Sequence, residues 1–184
     1  RGRGITEYFG VDPKEVDVLM GTLSKSFGNS GGCIAGCKEL VEYLKYTTPG
    51  FVFSLGLTPG STAGSLAAIR LWEAEPERFV RLHENAGLFL GLAKQHGLNT
   101  GMSQNSPIVP IILGNSLDCM RLSQAMFTRG VSAMPIVHPA VEEGVARLRF
   151  FITSLHNEKQ LRYTIDVMAE ELRKINPDYL GGSK

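Results

Sequence analysis

The sequence predicts an α/β fold, and three observations support this prediction. A short apolar run at residues 16–20 ends at a Gly-Thr pair, which is typical of a buried strand. After Leu98, short apolar segments alternate with longer amphipathic ones, as they do where strands alternate with helices. Of the 184 residues, 43% are hydrophobic, so the chain can bury a substantial core.

The first half of the chain continues this pattern after the first strand. Residues 33–36 predict a second strand, and residues 38–46 predict a helix with one apolar face. The aromatic segment 51–54 is predicted to be extended. Thr58 and Pro59 mark a helix start, because a hydroxyl can cap the first turn and proline suits its first position. Apolar residues follow at helical spacing on this helix: Ala63, Leu66, Ala67 and Leu71.

The second half predicts three more helices and three more strands. The helices run from Pro76 to Gly97, from a Ser116 cap to Gly130, and from Asn157 to just before Pro177, and the strands cover residues 108–113, 131–137 and 147–153. Pro110 places its strand at a sheet edge or a bend. Asn157 and Gln160 have the spacing of a capping box. The alternation at residues 147–153 places Arg149 on the face opposite the main apolar set.

The composition argues against several classes of protein. A formal net charge of +1, with acidic and basic residues interspersed, argues against nucleic acid as the main partner. The longest apolar runs are far shorter than the ~20 residues that span a bilayer, and the first residues, Arg-Gly-Arg-Gly, contain no apolar signal region. The three cysteines lack the spacing and histidine partners of a zinc site, so we predict no metal and reduced cysteines in the cytoplasm.

One lysine stands out because hydroxyl-bearing and small residues surround it. Lys25 follows the first strand, and Thr22, Ser24 and Ser26 beside it could donate hydrogen bonds to a phosphate. A lysine withdrawn from water more readily becomes a neutral amine, which can attack an aldehyde to form an imine. Small residues nearby predict such a crowded setting.

Two other interpretations of this stretch are possible. A P-loop would need glycine immediately before the lysine, but Ser24 occupies that position. The other interpretation is a glycine-rich turn with a solvated lysine, which composition alone permits.

The wider sequence resembles the α-oxoamine synthases. Their pyridoxal phosphate lysine motif is similar to the run from Thr22 to Gly28, Thr-Leu-Ser-Lys-Ser-Phe-Gly, followed by two glycines. Further similar blocks are Gly-Arg-Gly-Ile at residues 2–5, Phe-Val-Phe-Ser at 51–54, and Ala-Arg-Leu-Arg at 146–149 with His156 behind it. Four blocks in the family's order and approximate spacing are a far more specific signal than a lone Thr-x-x-Lys.

The resemblance implies a fold and a set of site residues. The fold is the C-terminal portion of a fold-type I pyridoxal phosphate-dependent transferase. Lys25 matches the catalytic, cofactor-bound lysine, while Thr22 and Ser54 match positions that reach the cofactor, Ser54 from the neighbouring subunit. Arg149 matches the arginine that binds the substrate carboxylate, which suits a guanidinium because it can hold both oxygens. Arg147 has a more variable counterpart, and His156 could simply be a helix-cap residue.

The reaction implied by the resemblance joins an amino acid to an acyl thioester of coenzyme A or an acyl carrier protein. Carbon dioxide is lost, and an α-oxoamine is the product. The implied parent protein is a cytoplasmic homodimer with no transmembrane segment. Two alternatives stay open: another fold-type I activity, such as an aminotransferase, and a non-catalytic dimerisation module within a larger synthase.

The resemblance also predicts how the chain is divided. Residues 1–57 would end the large cofactor domain, residues 58–97 would form a helical connection, and residues 98–184 would form a small C-terminal α/β domain. In the family, the acid that pairs with the pyridine nitrogen lies upstream of the first block. We therefore expect the chain to be the C-terminal part of a longer protein and to be inactive by itself.

Overall fold

The computed structural model describes residues 2–181, which form seven helices and five strands. The helices are α1 (Ile5–Phe9), α2 (Lys38–Thr47), α3 (Pro49–Val52), α4 (Pro59–Ala74), α5 (Glu77–Gln95), α6 (Ser116–Thr128) and α7 (Glu158–Ile175). The strands are β1 (Val18–Thr22), β2 (Gly32–Gly36), β3 (Ile108–Gly114), β4 (Met134–Ile136) and β5 (Ala146–Phe151). Two 3₁₀ turns, Pro13–Glu15 and Pro177–Leu180, complete the regular structure. The chain divides between Pro76 and Glu77 into two compact units.

The first unit contains a two-stranded antiparallel sheet. Strand β1 pairs with β2, with Val18 opposite Gly36 and Thr22 opposite Gly32. The strand predicted at residues 16–20 is therefore present, but its expected burial is wrong: Val18 is 48% exposed and Met20 77% exposed. A sheet of two strands buries little apolar surface by itself.

Helices α2 and α4 begin as the sequence predicts. The expected apolar face of α2 is its half-buried face, formed by Leu40, Val41 and Leu44. The Thr58 side chain caps α4 by accepting a hydrogen bond from the Ser61 N–H at 3.2 Å. However, the apolar stripe predicted on α4 is exposed in the first unit: Ala63, Leu66, Ala67 and Leu71 all face solvent.

The extended segment predicted at residues 51–54 is wrong. Pro49 instead starts a helical turn, α3, that continues to Val52. The Ser54 hydroxyl donates to the Gly50 carbonyl at 2.7 Å, which satisfies an acceptor at the end of this turn. Proline is well suited to the first helical position, and here that preference outweighs the strand propensity of the aromatic residues.

The second unit has a three-stranded antiparallel sheet in the order β3-β5-β4. Pro110 lies on β3 and therefore at a sheet edge, as predicted. Helices α5, α6 and α7 pack with this sheet to form the hydrophobic core of the unit. The fully buried large side chains of the core include Ile111 and Leu148 from the strands, and Phe89, Leu122, Met126, Ile165, Met168 and Leu172 from the helices. Helix α5 packs against α7 and β3, so it belongs to this unit by its contacts.

Local signals in the second unit are largely confirmed. Asn157 and Gln160 form a complete capping box at the start of α7, with reciprocal hydrogen bonds of 2.9 and 3.0 Å. Gly97 has a φ of 70° and terminates α5. The predicted Ser116 cap is wrong, because the Asn115 side chain caps α6 by accepting the Asp118 N–H at 3.0 Å.

Strand β4 is shorter than the predicted segment 131–137 and spans only three residues. The predicted domain bounds at residues 57 and 97 stay predictions. The C-terminal tail after Gly181 lies outside the described residues, as does Arg1.

Two polar side chains in or beside the core of the second unit, Cys119 and Tyr179, have raised pKa values. Burial raises the pKa of the Cys119 thiol to about 11, and the nearby negative charge of Asp118 adds to the shift. Partial burial, together with a 2.9 Å hydrogen bond to the Asp118 carboxylate, raises the pKa of Tyr179 to about 12. Both groups therefore stay protonated at neutral pH and behave as packing residues.

Candidate functional site

The predicted lysine lies in a closed loop between β1 and β2, residues 23–31, which we call the lysine loop. The Leu23 N–H donates to the Gly31 carbonyl at 2.9 Å, and the Asn29 N–H donates to the Leu23 carbonyl at 2.9 Å. Within the loop, the Gly28 N–H bonds to the Lys25 carbonyl at 3.0 Å, and Gly28 adopts a φ of 59°. These bonds hold Lys25 at the outer bend of the loop.

The Lys25 side chain is exposed in the first unit. The sequence predicts a crowded setting that withdraws this lysine from water, and the first unit does not provide one. An exposed amine can still be reached by a ligand in solution.

Hydroxyl groups lie at the base of the lysine loop. The Thr22 and Ser24 hydroxyl oxygens are 2.8 Å apart, and the Ser24 N–H donates to the Thr22 hydroxyl at 3.2 Å. The Thr22 hydroxyl also donates a long hydrogen bond, of 3.5 Å, to the Gly31 carbonyl oxygen. Both hydroxyl side chains are exposed, so they could reorient to donate to a phosphate. The structure therefore brings two of the predicted phosphate donors together beside Lys25.

Thr22 also lines a cavity of about 570 Å³ in the first unit, between the two strands and the helices α2 and α3. Its walls are mainly apolar and include Met20, Ile34, Leu44 and Phe51. The predicted Ser54 is not among the lining residues, and its hydroxyl is bonded to backbone carbonyls of α3. A role for Ser54 in holding the cofactor stays a prediction.

Arg149 lies on β5, the central strand of the second unit. Its ladder neighbours are Pro110 on β3 and Met134 on β4, and its side chain is half-buried on the face opposite Leu148. Arg147 lies two residues earlier, and its Nε donates to the Val145 carbonyl at 2.9 Å. The Arg147 guanidinium is therefore partly engaged by the backbone of a neighbouring residue.

A second cavity, of about 350 Å³, lies beside Arg149 in the second unit. His156, Gln160 and Met134 line it together with the aromatic residues Phe89 and Phe151. Among the described residues that line this cavity there is no Asp or Glu. Its electrostatic character is therefore set by the Arg149 guanidinium, which favours a negatively charged group in a ligand.

The turn between β5 and α7 fixes the orientation of His156. The Thr153 N–H donates to Nδ1 of His156 at 3.2 Å, so the neutral ring carries its proton on Nε2. Asn85, on α5, uses its amide nitrogen to donate to the Thr153 carbonyl at 2.9 Å and the His156 carbonyl at 2.8 Å. Asn85 was not among the residues predicted for the site, because nothing in its local sequence indicates these contacts.

In residues 2–181, no group of three or more His, Cys, Asp or Glu side chains is arranged to hold a metal ion. The same residues include no helix that is long and apolar enough to cross a membrane.

A family model described as aminotransferase class I and II matches residues 2–168, which include both the lysine loop and the Arg149 strand. The chain belongs to this family. The match covers most of the described residues and supports the predicted fold class.

Curated relatives of this family member are synthases. The 8-amino-7-oxononanoate synthase of Fervidobacterium nodosum is 39% identical over 90% of the chain, and that of Thermosipho melanesiensis is 38% identical over 95%. The chain spans 41% and 44% of the length of these two relatives. The likeness therefore concerns less than half of each synthase.

Solved structures support the predicted fold. A serine palmitoyltransferase described with a pyridoxal phosphate internal aldimine superimposes with a TM-score of 0.88 at 25% identity, covering 96% of this chain and 44% of that one. The serine palmitoyltransferase of Sphingomonas wittichii gives a TM-score of 0.86 at 25% identity, covering 94% of this chain and 43% of that one. The fold is a portion of a fold-type I transferase, and the predicted resemblance to the α-oxoamine synthases is confirmed.

Proposed function

We propose that the chain provides the lysine and the carboxylate-binding arginine of a pyridoxal phosphate-dependent acyltransferase. The reaction condenses an amino acid with an acyl thioester of coenzyme A or an acyl carrier protein, with loss of carbon dioxide, to give an α-oxoamine. The single observation that carries this proposal is the closed lysine loop, which presents Lys25 beside the hydroxyls of Thr22 and Ser24. Similarity to synthases along nearly the whole chain supports it.

The donors around Lys25 fit pyridoxal 5'-phosphate. The Lys25 amine can bond to an aldehyde, and the exposed hydroxyls of Thr22 and Ser24 can donate to a phosphate. Ser54 is proposed as a further contact to the phosphate, across a homodimer. When bound, this cofactor supplies an electron sink that stabilises a carbanion at the amino acid's Cα.

Lys25 has two tasks in this proposal. Its Nζ first holds the cofactor in place, and after release by the substrate amine it takes the proton from the Cα of the amino acid. The closed loop limits the positions that Nζ can reach, because three backbone hydrogen bonds fix the bend that carries Lys25. A base restricted in this way loses less entropy on reaching the transition state.

Arg149 orients the amino acid. A planar guanidinium can donate two parallel hydrogen bonds to a carboxylate, which fixes both its position and its plane. The half-buried Arg149 extends from a strand that is paired on both sides, so its backbone is held firmly. We place the complete enzyme in the cytoplasm as a homodimer.

The family model also favours a second candidate, because its description is aminotransferase. An aminotransferase would use Lys25 and Arg149 in the same way but would transfer the amino group, with no acyl thioester consumed. The products, carbon dioxide and free thiol in one case and a 2-oxo acid in the other, therefore distinguish the two reactions.

The test is a turnover assay on the purified protein that carries this chain. Carboxyl-labelled amino acids, including serine, are supplied with pyridoxal phosphate, an unlabelled 2-oxo acid as amino-group acceptor, and acyl thioesters that include a palmitoyl thioester. We expect labelled carbon dioxide and free thiol to be released in equal amounts. Formation of a labelled 2-oxo acid without labelled carbon dioxide, with the amino group passed to the acceptor, would indicate the aminotransferase. No consumption of any amino acid would contradict both candidates.

Replacing Arg149 with lysine is expected to weaken amino acid binding. The positive charge remains, but the two-pronged contact is lost, at a cost of about 2 kcal/mol. The KM for the amino acid should therefore rise roughly thirtyfold. Cofactor binding, measured by absorbance titration, should be unchanged.

The matched control for this change is Arg173→Lys, because Arg173 is an exposed arginine on α7. It should leave KM at the wild-type value. If Arg149→Lys left both KM and kcat unchanged, the carboxylate would bind elsewhere, and Arg147 would be the next residue to replace.

A further inference from the structure

Asn29 connects the lysine loop to helix α4. Its Nδ2 donates to the Ser61 carbonyl at 2.6 Å, across 32 residues of sequence. Its Oδ1 accepts the Ser30 N–H at 2.9 Å, so both ends of the amide are used and its orientation is fixed. Because the Asn29 N–H also closes the loop onto Leu23, one residue bonds to the loop and to the helix at the same time.

A glycine on α4 makes room for this side chain. A Cβ added to Gly64 would lie 2.9 Å from Nδ2 of Asn29, which is closer than real Cβ contacts allow. Gly64 lies one residue before the buried Ser65, in the part of the helix that follows Ser61. The absence of a side chain at Gly64 therefore lets the Asn29 amide reach the helix backbone.

The same region of the chain contacts the loop at a second point. A Cβ at Gly31 would overlap the side chain of Leu57, and Gly31 has a φ of 101°, which disfavours other residues. Leu57 directly precedes Thr58, the residue that caps α4. The lysine loop is thus held against the start of α4 by the Asn29 bond and by the Gly31–Leu57 contact.

We propose that Asn29 is a positioning residue that sets the direction of the Lys25 amine by fixing the lysine loop on the first turns of α4. The proposal rests on the proposed function of Lys25 as the cofactor-bound lysine. The Lys25 side chain makes no hydrogen bond among the described residues, and the bend that Lys25 occupies is held at both ends by bonds that involve Leu23 and Asn29. Loss of the Asn29 anchor would allow the amine to sample directions away from the cofactor.

The decisive variant is Asn29→Asp. Aspartate keeps an oxygen for the Ser30 N–H but places a second oxygen, which cannot donate, against the Ser61 carbonyl. The matched control is Asn99→Asp, because the Asn99 side chain is an acceptor for the Gly101 N–H and aspartate preserves that bond.

Two measurements are made on the full protein. The first is the hydrogen-exchange rate of the Leu23 N–H, whose bond to the Gly31 carbonyl closes the loop. Imine formation is trapped by borohydride at limiting pyridoxal phosphate, and mass spectrometry compares labelling at Lys25 with labelling at Lys159, an exposed lysine of α7. For Asn29→Asp we expect exchange of Leu23 to accelerate roughly tenfold and the Lys25 to Lys159 labelling ratio to fall by a similar factor, the scale of one lost hydrogen bond. Asn99→Asp should change neither.

Each contrary outcome has a distinct meaning. Unchanged exchange at Leu23 would show that Asn29 does not hold the loop, and faster exchange with an unchanged labelling ratio would show that the anchor does not direct the amine. Either result overturns the proposal. If wild-type protein showed no preference for Lys25 over Lys159, the proposed function of Lys25 would be wrong, while the exchange data would still decide whether Asn29 anchors the loop.

A second pair of variants covers the case in which Asn29→Asp does not fold. Gly64→Ala should accelerate Leu23 exchange in the wild-type background, because the new methyl group displaces the Asn29 amide. In an Asn29→Ala background the same change should have little effect. Additive effects of the two changes would contradict the link between Gly64 and Asn29.

Discussion

Replacing Lys25 with alanine is expected to abolish the visible absorbance of protein-bound pyridoxal phosphate and to reduce turnover to background. Alanine has no amine, and the other bonded side chains in and beside the lysine loop are the Thr22 and Ser24 hydroxyls and the Asn29 amide. None of these can form an imine with the cofactor's aldehyde. The measurement is an absorbance spectrum of the variant after free cofactor has been removed by gel filtration.

The control for this experiment is Lys159→Ala, which removes an exposed lysine from the first turn of α7. Its spectrum and its turnover should match those of the wild type. Because Lys25 is exposed and its side chain has no described bond, Lys25→Ala should also leave the free energy of unfolding of the cofactor-free protein within about 0.5 kcal/mol of wild type, the usual effect of a surface change. A visible band that survived in Lys25→Ala would assign the cofactor to another lysine.

Replacing Leu148 with alanine is expected to cause a large loss of stability in the second unit. Leu148 is fully buried at 0% exposure on the central strand β5, between Ile111 and Pro135 in the ladder. Removing its side chain loses the burial of three carbons and leaves a cavity in the core, which costs about 2–5 kcal/mol. The measurement is urea unfolding followed through hydrogen exchange of amides in β5.

Leu155→Ala is the matched control, because Leu155 carries the same side chain at 77% exposure in the same unit. The control should alter the free energy of unfolding by less than about 0.5 kcal/mol. Equal effects of the two changes would mean that Leu148 does not lie in the core.

The elements that the sequence predicts well are those determined by neighbouring residues. The capping box of Asn157 and Gln160, the end of α5 at Gly97 and the edge position of Pro110 all follow from local backbone chemistry. Where two neighbouring residues favour different local structures, the sequence alone does not show which preference prevails. Asn115 rather than Ser116 caps α6, and Pro49 turns the following segment into a helix.

Burial and long-range bonds could not be predicted in this way. The apolar residues of β1 and α4 have the spacing of buried faces, but burial depends on what packs against them, and in the first unit Met20 and Leu71 are exposed. Asn29 and Asn85 bond to residues 32 and 68 positions away, respectively, so no periodic pattern indicates their contacts. The motifs therefore predict candidate catalytic and binding residues, but they do not predict residues such as Asn29 and Asn85, which hold the neighbouring segments in place through long-range hydrogen bonds.

The central position of β5 has a consequence for accuracy in folding. Strand side chains alternate, so a slip of one residue would turn Arg149 into the core and expose Leu148. Burying an unpaired guanidinium while losing a leucine from the core is strongly unfavourable, and β5 would have to lose its register with β3 and β4 together. A chain with β5 in the wrong register is therefore much less stable than the native one. Molecules that fold with the native register carry Arg149 on the face of the sheet opposite the core.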